Sequence, residues 1–188
     1  MSRVILGVDP GLTRCGVAVL SAKTSRQIEL IHVDTIRTSA DVELSARLGI
    51  IADGIEELIQ KFKPTQIAIE RVFAQANVRS VMGVAQISGV VIYLAQKHGI
   101  PVEMHTPSEV KAAVTGSGRA QKAQIGLAVA KILGLAEVPK PADSADAIAI
   151  AICNAWKNPS AVGKIKNTTP AQAAWKAAER VASRKPRA

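Results

Sequence analysis

A chain of 188 residues, 48% hydrophobic and 21% charged, has the length for one domain with a substantial core and the composition of a folded protein. No apolar run approaches the roughly 20 residues of a membrane helix, and the opening MSRVILGVDPG carries no signal-peptide cleavage pattern, so no membrane association is expected. The net charge of +9 is uneven: Lys157 to Ala188 holds +7 and residues 1–156 only +2, so the basic character belongs to a tail that either meets a polyanion or simply aids solubility.

With 3% aromatic residues, the core must be built from Val, Ile, Leu and Ala. Val4–Val8 is a short apolar run closed by Asp9-Pro10-Gly11, which reads as a buried strand and a turn. Cys15–Leu20 resumes as a second strand and Gln27–Arg37 as a third, giving an antiparallel meander. From Val42 to Phe62, Leu44, Leu48, Ile51, Ile55, Leu58 and Ile59 recur at three- and four-residue steps, the signature of an amphipathic helix stopped near Pro64. Gln66–Glu70 reads as a fourth strand, Asn77–His98 as a long helix ended by Gly99 and Pro101, and Val102–His105 as a fifth strand. Ser80, Gly83, Ala85, Ser88 and Gly89 keep the surface of the long helix small, so it is either deeply packed or a subunit contact. Helices follow from about Gln121 to Leu133 and from about Asp143 to Trp156, the second apolar on nearly every side and therefore buried. Strands first, then alternating helix and strand, predict an α/β sheet with helices on both faces. Asn158–Lys166 is a linker by composition, and Thr169-Pro170-Ala171-Gln172 could open one more helix, so residues 1–157 read as the domain and 158–188 as a basic tail, helical or disordered.

Cys15 and Cys153 stand far apart with no His or Cys at ligand spacing, which argues against a disulfide or zinc site and for a reducing cytoplasm. Four carboxylates hold unusual positions. Asp9 can be a turn starter, Glu70 the polar end of a strand, and Asp143-x-x-Asp146 a helix cap with a first-turn acid. Taken together they point elsewhere. The first and fourth strands can be neighbours, with Asp9 and Glu70 at the strand ends where open α/β sheets bind ligands. Asp143 and Asp146 share one helix face. If that helix begins over the same edge, four carboxylates converge and repel one another unless cations neutralise them. All-oxygen ligation favours Mg²⁺ or Mn²⁺, and two such ions can activate a water for in-line attack at a phosphodiester.

The segments Ile5–Gly11, Ala68–Phe73 and Ala142–Ala149 together resemble the RuvC family of bacterial Holliday-junction resolvases, in order and at family spacing from about Ser2 to Lys157. The resemblance implies a ribonuclease-H-like fold with a mixed five-stranded sheet and a homodimer that nicks two strands of a four-way DNA junction symmetrically. It also implies 5′-phosphate and 3′-hydroxyl ends, and coupling to the RuvA–RuvB branch-migration complex. Asp9, Glu70, Asp143 and Asp146 would be the catalytic acids holding two Mg²⁺ per subunit, with Mn²⁺ able to substitute. Lys122 would join the catalytic set and, with Lys111, engage the backbone around the scissile phosphate, although a lysine is ordinarily just a solvated charge. Lys122 follows the Gly-rich stretch Gly116–Gln121 at a helix start, a setting that favours phosphate. Arg119 is a weaker phosphate candidate. Phe73 would insert at the junction, where stacking on a base is worth about 1–3 kcal/mol, and Asn77 and Arg79 would touch phosphate or base edges. Two alternatives are a related nuclease of the YqgF type and a non-catalytic junction-binding module. The Glu70-Arg71-Val72-Phe73 segment and the full set of acids weigh against them. Actin-like ATPases and sugar kinases share the opening motif but need two such domains.

Overall fold

The computed structural model describes residues 2–24, 27–71 and 78–157. Its centre is a five-stranded sheet of β1 (Arg3–Asp9), β2 (Arg14–Ala22), β3 (Ile28–Arg37), β4 (Gln66–Glu70) and β5 (Val102–His105), in the order β3-β2-β1-β4-β5. The first three strands form the expected antiparallel meander, while β4 and β5 run parallel to β1, so the sheet is mixed. Five helices complete the described residues: α1 (Leu44–Phe62), α2 (Val78–Lys97), α3 (Pro107–Thr115), α4 (Lys122–Leu133) and α5 (Ala142–Lys157).

The apolar runs of the central strands serve two cores at once, because helices cover both faces. Ile5, Ala18, Leu20 and Ala68 point toward α3, α4 and α5, whereas Leu6, Val8, Val17, Val19, Ile67 and Ile69 point toward α1 and α2. Edge strand β3 alternates partly buried and exposed positions instead. Helix α5 is buried from Ser144 to Ala155 except at Asp146, as its all-round apolar sequence requires.

Helix α3 is the one element of the described residues that hydrophobic periodicity missed. Nine residues with only Val110 and Val114 buried give a faint stripe. Its end signal is strong, however. Thr106 caps the helix, Pro107 opens it, and Glu109 returns a bond to the Thr106 N–H at 2.8 Å. Gly116, with φ of 79°, closes the helix in the left-handed conformation that glycine adopts without strain. Both cysteines are buried and free. Among the described residues, no helix is long and apolar enough to cross a membrane. The linker and the further helix expected beyond Asn158 lie outside the described residues.

Candidate active site at the strand edge

Parallel pairing of Val8 with Ile69 sets Asp9 beside Glu70 at the C-terminal ends of β1 and β4. The other two acids arrive on α5, which lies unusually close to the sheet. A side chain at Gly7 would come within 2.4 Å of the Ala147 carbonyl oxygen, and one at Gly16 within 2.3 Å of the Asp143 carbonyl oxygen. Two glycines on adjacent strands thus make the groove in which α5 rests. Polar contacts fix the helix along its length. Ser144 meets Thr35 at 3.3 Å near its start, and Arg3 donates to the Ala155 carbonyl at 2.9 Å near its end. Asn154 meets the buried His105 ring at 3.2 Å.

One carboxylate oxygen each from Asp9, Asp143 and Asp146 falls within 4.8 Å of the others. Glu70 is not in this tight group. It lines the same pocket of about 250 Å³ with Asp9 and Asp146, together with Lys111, Lys122, Val110, Ile125 and Ile150. Three of the four acids therefore cluster, and the fourth lines the same small cavity as two of them, Asp9 and Asp146. Lys122, the first residue of α4, reaches Asp146 at 3.2 Å. Lys111 enters from α3, the helix that periodicity missed.

Burial, followed by the charges of Glu70, Asp146 and Asp143, holds the Asp9 carboxyl up at about 7. Glu70 is raised too, chiefly by burial and then by Asp146, while Lys111 and Lys122 pull it down. The Lys122 ammonium is raised above its ordinary value, first by Asp146. These groups form a site with excess negative charge, partly compensated by protein cations. An all-oxygen donor set of this kind fits hard divalent ions such as Mg²⁺ or Mn²⁺.

Arg14 was not singled out by sequence reasoning. It starts β2 on the far side of the turn from Asp9, and its Nε lies 3.1 Å from Asp143 Oδ2. No spacing rule links Arg14 to a residue so distant in the chain; only the depth at which α5 docks brings them together. Arg119 is exposed in the loop before α4 and does not line the acid pocket. Phe73 and Asn77 lie outside the described residues, and of Arg79 only its place in the first turn of α2 is described.

Comparison with known proteins agrees with this architecture. Residues 5–154 match the family model for RuvC, crossover junction endodeoxyribonuclease. A RuvC from Leifsonia xyli subsp. xyli is 52% identical, with 96% of this chain and 93% of that protein covered. One from Paenarthrobacter aurescens is 51% identical over 98% of this chain and 100% of its own length. Both alignments thus run on into the basic tail, past the Ser2–Lys157 span over which the motifs resemble the family. Among solved structures, T. thermophilus RuvC in complex with a Holliday junction substrate superposes with a TM-score of 0.79 at 34% identity, covering 84% of this chain and 95% of that one. The yeast mitochondrial Holliday junction resolvase Ydc2, at 14% identity and a TM-score of 0.56, shares the fold.

Proposed function

The chain belongs to the RuvC family of crossover junction endodeoxyribonucleases, and from that membership we propose that it resolves four-way DNA junctions by hydrolysing a phosphodiester at the pocket of Asp9, Glu70, Asp143 and Asp146. The observation that carries the assignment is the set of three carboxylate oxygens within 4.8 Å, at the edge of a sheet of this fold. The pocket edge is basic as well as acidic, which suits a phosphate group approaching a cation cluster.

Asp9, Asp143 and Asp146 would hold Mg²⁺, or Mn²⁺ in its place, with Glu70, which lines the pocket with Asp9 and Asp146, completing the set for two ions. The chemistry so supplied is positive charge at an attacking water and at the departing 3′ oxygen, leaving 5′-phosphate and 3′-hydroxyl ends. Lys122 orients Asp146 and, with Lys111, offers positive charge to the non-bridging oxygens of the phosphate. Asp9 is the most buried of the acids that neighbouring charge perturbs, so it anchors the cluster in a region of low dielectric. Phe73, Asn77, Arg79 and Arg119 are assigned to DNA contact by motif position.

A homodimer is part of this reading, because two identical sites related by a two-fold axis suit two symmetric nicks. Helix α2 supports it: Ile87, Ser88, Val91, Leu94 and Ala95 turn inward, while Met82, Ala85, Gly89, Ile92 and Tyr93 form an exposed stripe. Coupling to RuvA–RuvB and a cytoplasmic setting follow from the family in the same way. The test is cleavage of a synthetic four-way junction against linear duplex, with and without Mg²⁺. Cleavage should be selective for the junction and need the ion, and Glu70→Gln should abolish it while junction binding persists. Full activity of that variant, or equal cutting of duplex, would overturn the assignment.

A further inference from the structure

Beside the acid pocket lies a second and larger opening, a cleft of about 440 Å³ lined by Gly11, Leu12, Thr13, Arg14, Arg47, Gly83, Val84 and Asp143. The two openings share no lining residue, and the Asp9–Asp143–Asp146 cluster stands between them with Asp9 and Asp146 facing one and Asp143 the other. The cleft therefore adjoins the acid cluster on the side that Asp143 faces.

The cleft is basic by construction. Arg47, half-buried on α1, donates from Nε to Thr38 Oγ1 and from a terminal nitrogen to Thr13 Oγ1, each at 2.9 Å. Thr38 in turn donates to the Leu12 carbonyl at 2.5 Å, and its own N–H bonds the Thr13 carbonyl at 3.0 Å. The β1–β2 turn is thus clamped to α1, and the Arg47 guanidinium is held at the cleft wall. Arg14 is held differently. Its side chain is 59% exposed, and among the described residues its ion pair is to Asp143, a residue of the acid cluster. Arg37 stands directly opposite Arg14 in the β2–β3 register and adds a like charge on that face.

We propose that Arg14 has two stations: it sits on Asp143 while the acid cluster holds no divalent ion, and it turns into the cleft to bind a DNA backbone phosphate, with Arg47, once such an ion takes Asp143. This rests on the nuclease reading above. A divalent ion at Asp143 would face the Arg14 guanidinium at close range, and like charges in that geometry repel. A phosphate in the adjoining cleft is the nearest replacement anion, and its planar oxygen pair suits the guanidinium fork. The exchange would couple metal loading to a grip on the phosphate next to the one being cut.

The test uses the full chain in two arms. Mn²⁺ binding to the protein without DNA is measured by calorimetry; Arg14→Gln should bind Mn²⁺ several-fold more tightly, because a competing cation is gone. Junction binding is measured against salt in a Glu70→Gln background, which keeps the three-oxygen cluster and prevents cutting. With Mn²⁺, adding Arg14→Gln should lower the slope of log K against log salt by about 0.9, the loss of one phosphate contact. Without Mn²⁺ it should leave the slope unchanged. Arg14→Lys should restore most of the slope, and Lys61→Gln, at the other end of α1, should not alter it. An unchanged slope in Mn²⁺ overturns the phosphate station, and unchanged Mn²⁺ affinity overturns the exchange. A Glu70→Gln parent that does not prefer the junction over duplex takes down the functional reading itself, and the phosphate station with it.

Discussion

Asp9 concentrates the electrostatic cost of the site in one residue. Its carboxyl is raised from 3.8 to about 7, by burial first and then by the neighbouring acids. The native state therefore retains a proton that the unfolded chain releases over that window, and the metal-free protein loses stability as pH rises through it. About three pH units at about 1.36 kcal/mol each set an upper limit near 4 kcal/mol once the pH exceeds 7. Asp9→Asn should accordingly raise the melting temperature of the metal-free protein by several degrees at pH 8 and change little at pH 4, where both side chains are neutral. Mg²⁺ should stabilise the parent at pH 8 and the variant much less. Equal melting of the two proteins at pH 8 would mean that Asp9 carries no such cost. The acids were legible in the sequence only as a set: each alone has a structural reading, but two at strand ends and two on one helix face can converge at one sheet edge. The exclusion of Glu70 from the tight trio was not, because strand position does not give side-chain reach. Arg14 was invisible for a related reason: the partner it meets lies 129 positions along the chain and is delivered by packing.

At the level of elements, the site depends on how deeply α5 docks. Gly7 and Gly16 leave no room for even a methyl group between sheet and helix. Gly16→Ala would drive a Cβ into the backbone of Asp143, in the very turn that presents both acids, and the helix would have to tilt away from Asp9. Overpacking of this kind costs about 1–3 kcal/mol. We expect Gly16→Ala to shift denaturant unfolding by that amount and to reduce cleavage far more than junction affinity. Gly49→Ala, in open space within α1, should be neutral or slightly stabilising. Equal cleavage by Gly16→Ala and the parent would show that the acids tolerate movement of α5. Sequence patterning found α5 because sixteen residues of nearly unbroken small and apolar side chains have one reading. It missed α3, and with it the route by which Lys111 reaches the pocket, because a nine-residue helix shows too little stripe for periodicity to register. The Thr106-Pro107-Ser108-Glu109 capping box was the available signal.

The whole molecule divides its charge and its apolar surface between separate tasks. The tail from Lys157 onward holds +7, so a chain ending there should bind junction DNA with a shallower salt dependence, each lost phosphate contact removing about 0.9 from the slope. An unchanged slope would leave the tail without a DNA role. Exposed large apolar side chains occur on several elements, but α2 aligns three of them on one face, Tyr93 at 67%, Met82 at 55% and Ile92 at 41% exposed, with Ala85 and Gly89 between them. Small residues flanked by large apolar ones allow two such helices to approach closely, and a two-fold axis across the stripe would make the contact self-complementary. A positive charge in place of its most exposed ring should break that contact, since it would have to be buried in the paired surface. Tyr93→Lys is therefore expected to halve the solution mass measured by light scattering. Its fold should remain intact, because the Tyr93 ring already lies in solvent within a single chain. The functional consequence follows from symmetry rather than from the site. A dimer delivers two cuts during one encounter and converts a cruciform plasmid to linear product, whereas separated subunits cut independently and should yield nicked circles first. A Tyr93→Lys protein that keeps the parent's mass would move the interface elsewhere, and a monomer that still produced linear product without a nicked stage would detach paired cutting from dimerisation.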